Sequence, residues 1–402
     1  MTTFKNLKVT GWNQFGSVDI SFDKRFTILT GANGSGKTTL LKLLAHHCQF
    51  LSDLHYVPQE GQQNFIVSVD ETHDIVGPAR PVTVAALTTT NGKIMHYVMP
   101  FHSKSATYQS TWQNMTEHVP SIFIPSARQS FAYTKASNIQ PVKLPVQAEK
   151  VVNIQGASRN VAQEMKNKLI NWAVTGFGNQ VMPADDEARL YYEGFQSLLK
   201  EVLPRELKFS HIKIVNFEVV MYCEGGSSFL LESVSSGIGT LISIAWQLFQ
   251  YKFNDEQPFV IMIDEVEAHL HPKMQREILH SLAEAFPRAS FIVSTHSPLV
   301  INSVEDAAIY VLAPNEAGKI ESTRLDFQNF ASTANGVLDE VLGVSSTYPI
   351  WVEEKLTEIV NRYSSMQAEE IDFEALKSEL SRIGLNSAFL PTMTSVMENM
   401  ND

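Results

Sequence analysis

The sequence predicts an α/β fold. Its core is a mixed, mostly parallel central sheet, joined by an antiparallel β-subdomain, a short helical insertion and a helical C-terminal appendage. Three observations predict this. A short apolar run, residues 26–30, ends in a glycine-rich loop that leads into Lys37-Thr38 and a leucine-rich stretch, the pattern of strand, tight loop and helix. Residues 259–263 (FVIMI) are continuously apolar, as expected for a parallel strand covered on both faces. Strand and helix patterns then alternate up to about residue 312, the rhythm of parallel strands joined by helical crossovers.

Taken in order, residues 4–9 and 16–22 alternate apolar and polar side chains and read as strands. Residues 37 to about 52 read as the first helix. Antiparallel β-structure is predicted over 64–101, because Asn91-Gly92 sits between two β-prone runs, 82–87 and 93–98. Residues 102–120 are polar and unpatterned and are expected to be loop. Residues 121–124 form a strand closed by Pro125. Helical spacing appears over 161–172 and 187–202, and β-character returns over 209–231 with a Gly225-Gly226 turn. A helix is expected over 241–251, another over 273–286, strands over 291–293 and 307–312, and helices over 337–342, 352–363 and 373–383. The expected divisions are 1–144 (first half of the main domain), 145–205 (helical insertion), 206–325 (second half) and 326–402 (appendage).

With 402 residues and 44% apolar side chains, the chain can bury a large core. No apolar run is long enough to span a membrane, and residues 1–14 lack the apolar segment of a signal peptide. Cys48 and Cys223 are the only cysteines, too few for a disulfide framework or a cysteine-based zinc site. A reduced, cytoplasmic setting is the expectation. The net charge of −12 does not advertise nucleic-acid binding. Lys143, Lys150, Arg159, Lys166 and Lys168 form a local basic cluster, expected to be a solvated helical face.

The loop Gly31 to Thr39 fits G-x-x-x-x-G-K-[ST]. Its glycines free the backbone to turn N–H groups inward and form an anion nest, and the following helix adds its positive end. Asn33, Gly34, Ser35, Gly36, Lys37, Thr38 and Thr39 are therefore candidate nucleotide-binding residues. Lys37 would reach the β- and γ-phosphates, and the Thr38 hydroxyl would ligate Mg²⁺. Asp264-Glu265 ends the apolar strand 259–263, where ligands of parallel sheets collect. Asp264 would hold Mg²⁺ through its water shell and Glu265 would serve as general base. His296, after strand 291–293, would contact the γ-phosphate and the base. His269 and His271 lack a third ligand and are weak evidence for a metal.

The order Gly31 to Thr39, Val234-Ser235-Ser236-Gly237, Ile263-Asp264-Glu265-Val266-Glu267-Ala268-His269-Leu270-His271-Pro272 and Ser294-Thr295-His296-Ser297-Pro298 resembles the ABC-type ATPases. More narrowly it resembles their RecF, OLD and SMC branch, including domains of the AAA_15 and AAA_21 type. The likeness covers about residues 1–312. It implies the ABC-ATPase fold, ATP and Mg²⁺ as substrate and cofactor, and a homodimer that sandwiches ATP. In that dimer Ser235, Ser236 and Gly237 of one copy cap the γ-phosphate held by Lys37 of the other. Ser236 and Ile238 stand where transporter signatures carry glycine and glutamine. For the loop that contacts the γ-phosphate after strand 121–124, Gln129 is the candidate, and the adjacent Arg128 is the alternative.

The segment between the two nucleotide motifs is too short and too rich in β-structure for the long coiled coil of SMC proteins. Residues 350–354 superficially resemble the start of a TOPRIM nuclease domain, but the expected glycine is missing and no Asp-x-Asp follows. No nuclease domain is expected in this chain. The resemblance is then to stand-alone ATPases of antiphage systems of the Septu, retron and PARIS type. It implies a sensor and scaffold that regulates a separately encoded effector, a nuclease or toxin. A RecF-like repair ATPase that binds DNA directly is the alternative.

Overall fold

The computed structural model describes residues 2–48, 54–55, 57–58, 65–70, 81–103, 107–108, 112–114, 118–128, 131–136, 161–250, 257–325, 350–364, 373–382 and 392–393. Two compact units are present, Met1–Val337 and Leu338–Asp402.

The first unit is built on one large mixed sheet. Its strands are β1 (Phe4–Trp12), β2 (Phe15–Ser21), β3 (Phe26–Thr30), β4 (Pro81–Thr89), β5 (Ile94–Pro100), β6 (Trp112–Gln113) and β7 (Ser121–Ile124). A separate antiparallel sheet follows: β8 (Phe209–Val215), β9 (Glu218–Cys223) and β10 (Ser228–Leu230). The main sheet is completed by β11 (Phe259–Ile263), β12 (Ala289–Ser294), β13 (Ala307–Pro314) and β14 (Ile320–Leu325). Strand order in the main sheet is β6-β5-β4-β1-β2-β14-β13-β3-β12-β11-β7.

The two ends of that sheet differ in physics. From β6 to β2 the pairing is antiparallel, with hairpins closed by tight turns such as Asn91-Gly92. From β13 to β7 the pairing is parallel. Every residue of β3 and of β11 is buried, which explains why β11 is continuously apolar and why β3 carries only Thr27 and Thr30 among its apolar residues, with no charged side chain. The predicted antiparallel subdomain is thus a continuation of the parallel sheet.

Helices α1 (Lys37–Ala45), α2 (Val161–Phe177), α3 (Asp186–Val202), α4 (Ser236–Gln250), α5 (Pro272–Ala285) and α6 (Pro298–Ile301) complete the described part of this unit. Leu40, Leu41, Leu43 and Leu44 of α1 pack beneath the sheet in a core shared with Trp12, Phe15 and Tyr97. Trp172 of α2, Phe195 of α3 and Trp246 of α4 meet in an aromatic cluster that holds the helical lobe together. Asp185 caps α3 by accepting from the N–H groups of Glu187 and Ala188.

In the second unit, α7 (Ile350–Ser364) and α8 (Phe373–Arg382) share a small core of Val352, Ile359, Tyr363, Leu376 and Leu380. Residues 350–354, which superficially resemble a TOPRIM strand, lie within α7.

Several expectations change. Residues 102–103, 107–108 and 112–113 are short strands, not loop, and Trp112-Gln113 extends the main sheet. Helix α4 starts at Ser236, five residues before the predicted start, because Gly237 and Gly239 are helical here. A Cβ at Gly239 would lie 2.7 Å from the Phe131 ring, so this glycine is present for close packing. Lys166 and Lys168 are buried, not on a solvated face. Lys166 donates to Thr134 O at 2.8 Å and to Glu232 at 2.7 Å, and also pairs with Glu218. Lys168 donates to Gln250 at 2.6 Å and pairs with Glu164 at 2.8 Å. Gln129, the basic residues 143, 150 and 159, and the predicted helix 337–342 lie outside the described residues.

Candidate functional site

Strands β3, β12 and β11 lie side by side and run parallel, so their carboxyl ends share one edge of the sheet. The loops leaving that edge carry the predicted residues, and the backbone ladder fixes their spacing.

The loop after β3 turns on glycines that no other residue could replace without strain. Gly31 has φ +137°, and a Cβ there would lie 2.3 Å from Leu312 O. Gly36 has φ +90°, and its Cβ would collide with the Phe15 ring at 2.4 Å. Ala32, Asn33 and Gly34 are exposed at the crest, whereas Ser35 and Lys37 are buried. The Lys37 ammonium sits inside the loop and donates to Gly31 O and Ala32 O, both at 2.9 Å, and to Ser35 Oγ at 3.3 Å. Burial pushes its pKa down to about 8, against the pull of Asp264, Glu265 and Glu267.

Thr38 and Thr39 open helix α1. Thr38 Oγ1 reaches both oxygens of Asp264, at 3.1 and 3.0 Å, which joins the first loop to the end of β11. Asp264 is fully buried, and its N–H donates to Ile124 O of β7 at 2.9 Å. Ser294, at the end of β12, donates to Asp264 Oδ1 at 2.5 Å and accepts from the Glu265 N–H at 2.8 Å. One hydroxyl therefore orients both acidic residues.

Glu265 has φ +45°, a left-handed conformation rarely taken by glutamate. The Arg128 guanidinium braces it from the neighbouring loop, donating through Nη2 to Asp264 O at 2.7 Å and Glu265 O at 3.2 Å. Two residues on, Glu267 Oε1 accepts from the His296 N–H at 2.6 Å and so ties the turn after β11 to the loop after β12. Burial, reinforced by the charge of Lys37, holds the His296 imidazole below its ordinary pKa, and the three carboxylates oppose this. Ser297 donates to Gln275 at 2.6 Å and fixes the far side of the same loop.

Lys37, Thr38, Asp264, Glu265 and His296 thus gather at one sheet edge. Ser235 and Ser236 do not join them. They are exposed at the N-terminus of α4, and among the described residues no hydrogen bond or ion pair links 234–237 to 31–39. Gly237 lies against the turn after β11, where a Cβ would approach His269 O at 3.1 Å. His271 caps α5 by accepting from the Lys273 N–H, which accounts for its place in the sequence. Among the described residues no group of His, Cys, Asp and Glu is arranged to hold a metal by itself. Ser294 and Glu267 stand inside the quoted motifs, but the sequence reading gives them no role in the site. Their signal was position alone, at the end of a buried strand and two residues past the Asp-Glu pair.

A family model described as an AAA ATPase domain (AAA_15) matches residues 93–301, more than half of the chain. The chain belongs to this AAA ATPase domain family. A second model, described as an AAA domain, matches residues 6–71, which include the Lys37 loop. This AAA ATPase is 22% identical to Septu protein PtuA of Bacillus thuringiensis over 405 aligned residues, spanning 93% of this chain and 92% of that protein. It is also 22% identical to the retron Vc95 probable ATPase of Vibrio cholerae serotype O1 biovar El Tor, spanning 90% of this chain and 83% of that one. Among solved structures, the SMC head domain of Thermotoga maritima aligns at 14% identity and a TM-score of 0.40, covering 80% of this chain and 99% of that one. Among the described residues, no helix of this AAA ATPase is long and apolar enough to cross a membrane.

Proposed function

We propose that this AAA ATPase binds ATP with Mg²⁺, closes as a pair of copies around it, hydrolyses it, and thereby regulates a separately encoded nuclease or toxin in antiphage defence. The observation that carries the reading is the gathering of Lys37, Thr38, Asp264, Glu265 and His296 at the ends of three adjacent strands.

The residues fit the substrate. Gly31 and Gly36 leave no room for a Cβ, and among the described residues the buried Lys37 ammonium donates to loop oxygens, which a phosphate would outcompete. The Thr38 hydroxyl and the Asp264 carboxylate form the hard oxygen pair that suits Mg²⁺. That ion would neutralise charge on the β- and γ-phosphates. In this reading Lys37 neutralises phosphate charge. Glu265 orients the attacking water and takes its proton. His296, held by Glu267, meets the γ-phosphate from the β12 side.

Ser235, Ser236 and Gly237 have no role in their own pocket. Exposed serines at a helix N-terminus suit an anion delivered by a second copy. The Septu and retron names of the relatives favour a role beside an effector. Direct DNA binding finds less support, because Lys166 and Lys168 are spent on internal partners.

The test is Glu265→Gln. The variant is expected to bind ATP, hydrolyse it at least a hundredfold more slowly (an order-of-magnitude expectation), and accumulate as a pair of copies. Turnover at the wild-type rate would remove Glu265 from its role. Ser236→Arg is expected to keep ATP binding and lose turnover; unchanged turnover would count against the shared pocket. Copurification from the native host with and without ATP would identify the effector.

A further inference from the structure

Gln275 lies near the start of α5, beyond the motifs that define the site, and its side chain is half-buried. The two ends of its amide face two different loops. Nε2 donates to Leu270 O at 2.8 Å, and Oε1 accepts from the Ser297 hydroxyl at 2.6 Å. A carbonyl can only accept, so the amide nitrogen must face Leu270 and the oxygen is left for Ser297. Both partners are fixed in turn. Ser297 accepts from the Leu299 N–H at 3.2 Å to cap α6, and its own N–H donates to Thr295 Oγ1 at 3.0 Å. In the turn after β11, the Ala268 N–H donates to Glu265 O and the Leu270 N–H to Glu267 O, both at 2.9 Å.

These two loops carry the proposed chemistry. The turn 265–270 holds Glu265 and Glu267, and the loop 295–297 holds His296. At the strand ends Ser294 joins them, through its hydroxyl to the Glu265 N–H and its carbonyl to the Val266 N–H. Farther out, the Glu267 carboxylate takes the His296 N–H, and the Gln275 amide spans Leu270 and Ser297. The carboxylate tie depends on charge, and an arriving triphosphate repels it. The amide is neutral and holds whether or not nucleotide is present. Glu265 needs such support, because its left-handed backbone would relax if the turn were free. Misplacing a reacting group by about 1 Å can cost about a hundredfold in rate.

We propose that Gln275 is a positioning residue for ATP hydrolysis: its amide clamps the Glu265 turn to the His296 loop and so sets where the general base stands. The inference rests on the hydrolytic reading above. It adds a residue that acts through Glu265 and touches no substrate itself.

The experiment measures ATP hydrolysis by the full chain with Mg²⁺, in the presence and absence of Glu265. Gln275→Met keeps the length of the side chain and removes both hydrogen bonds. It is expected to lower kcat about tenfold or more while KM stays within about twofold. In the Glu265→Gln background, under single-turnover conditions, the same substitution is expected to change residual hydrolysis by less than about twofold, because the position of a base that is gone no longer matters. ATP affinity by calorimetry in that background is expected to hold within the same margin. Gln275→Glu keeps the size and an acceptor for Ser297 but sets a carboxylate against Leu270 O. It serves if the methionine variant folds poorly, and it too is expected to lose kcat. Unchanged kcat in both variants would overturn the inference. An equal fractional loss with and without Glu265 would reduce Gln275 to a structural support and overturn it as well, as would a loss carried by KM alone. If the parent chain neither binds nor hydrolyses ATP, the reading of the site itself has failed, an outcome distinct from these.

Discussion

The sharpest test of the energetics lies outside the nucleotide loops, at Lys166. Its side chain is fully buried, as is nearly all of Glu232, at 3% exposure; Glu218 is 23% exposed. Burial disfavours the ammonium, but the hydrogen bonds and charges of Glu218 and Glu232 outweigh this and hold its pKa above the ordinary value. Lys166→Met keeps the length and apolar stem and deletes the charge. Glu218 can turn toward water, whereas Glu232 is stranded. Removing one partner of a buried pair costs roughly 3–5 kcal/mol. Because only one of the two carboxylates is trapped, we expect about 3 kcal/mol, the lower end of that range. Adding Glu232→Leu removes the stranded charge and is expected to restore most of the loss. Urea unfolding would measure both, with tryptophan fluorescence as the probe, since Trp172 and Trp246 stack in the lobe that carries Lys166. A single variant that loses less than about 1 kcal/mol, or a double variant no better than the single, would refute the reasoning. Glu232 lies in the short turn just before Val234, so the single variant is also expected to disturb Ser235 and Ser236 and, on the proposed function, to slow turnover.

Other outcomes follow from the site. Lys37 titrates near pH 8, and a bound triphosphate favours its charged form. ATP binding should therefore take up protons at pH 8 and weaken as pH rises from 7 to 9, which calorimetry in buffers of different ionisation enthalpy would detect. Ser294→Ala removes a bond to a buried carboxylate and strands the Glu265 N–H, so it should cost about 2 kcal/mol in denaturant unfolding and reduce kcat more than it raises KM. Gly31→Ala forces a Cβ against Leu312 O in a backbone region hostile to alanine, and nucleotide binding should be lost in a filter or fluorescence assay.

Local pattern made much of this legible. The glycine loop, the Asp-Glu pair and the buried strands announce themselves through residue types that have few other uses in that order. What escaped depends on distant partners. Lys166 and Lys168 look like surface residues until Glu218, Glu232 and Gln250 are folded against them, 52, 66 and 82 positions away. Gly237 and Gly239 look like a loop because a helix penalises glycine. The Phe131 ring leaves no room for a Cβ at Gly239, and His269 O makes one tight at Gly237. Ser294 is an ordinary strand residue by type, and only its neighbours at the end of β11 make it a shared anchor.

The left-handed backbone at Glu265 has an evolutionary consequence. Glycine or asparagine would relax that position by roughly 1 kcal/mol. Laboratory selection for heat tolerance alone should therefore drift toward those replacements and erase the glutamate, while selection for turnover should restore it. A deep library sorted both ways would show opposite preferences at this one codon, the mark of a position where fitness and folding disagree.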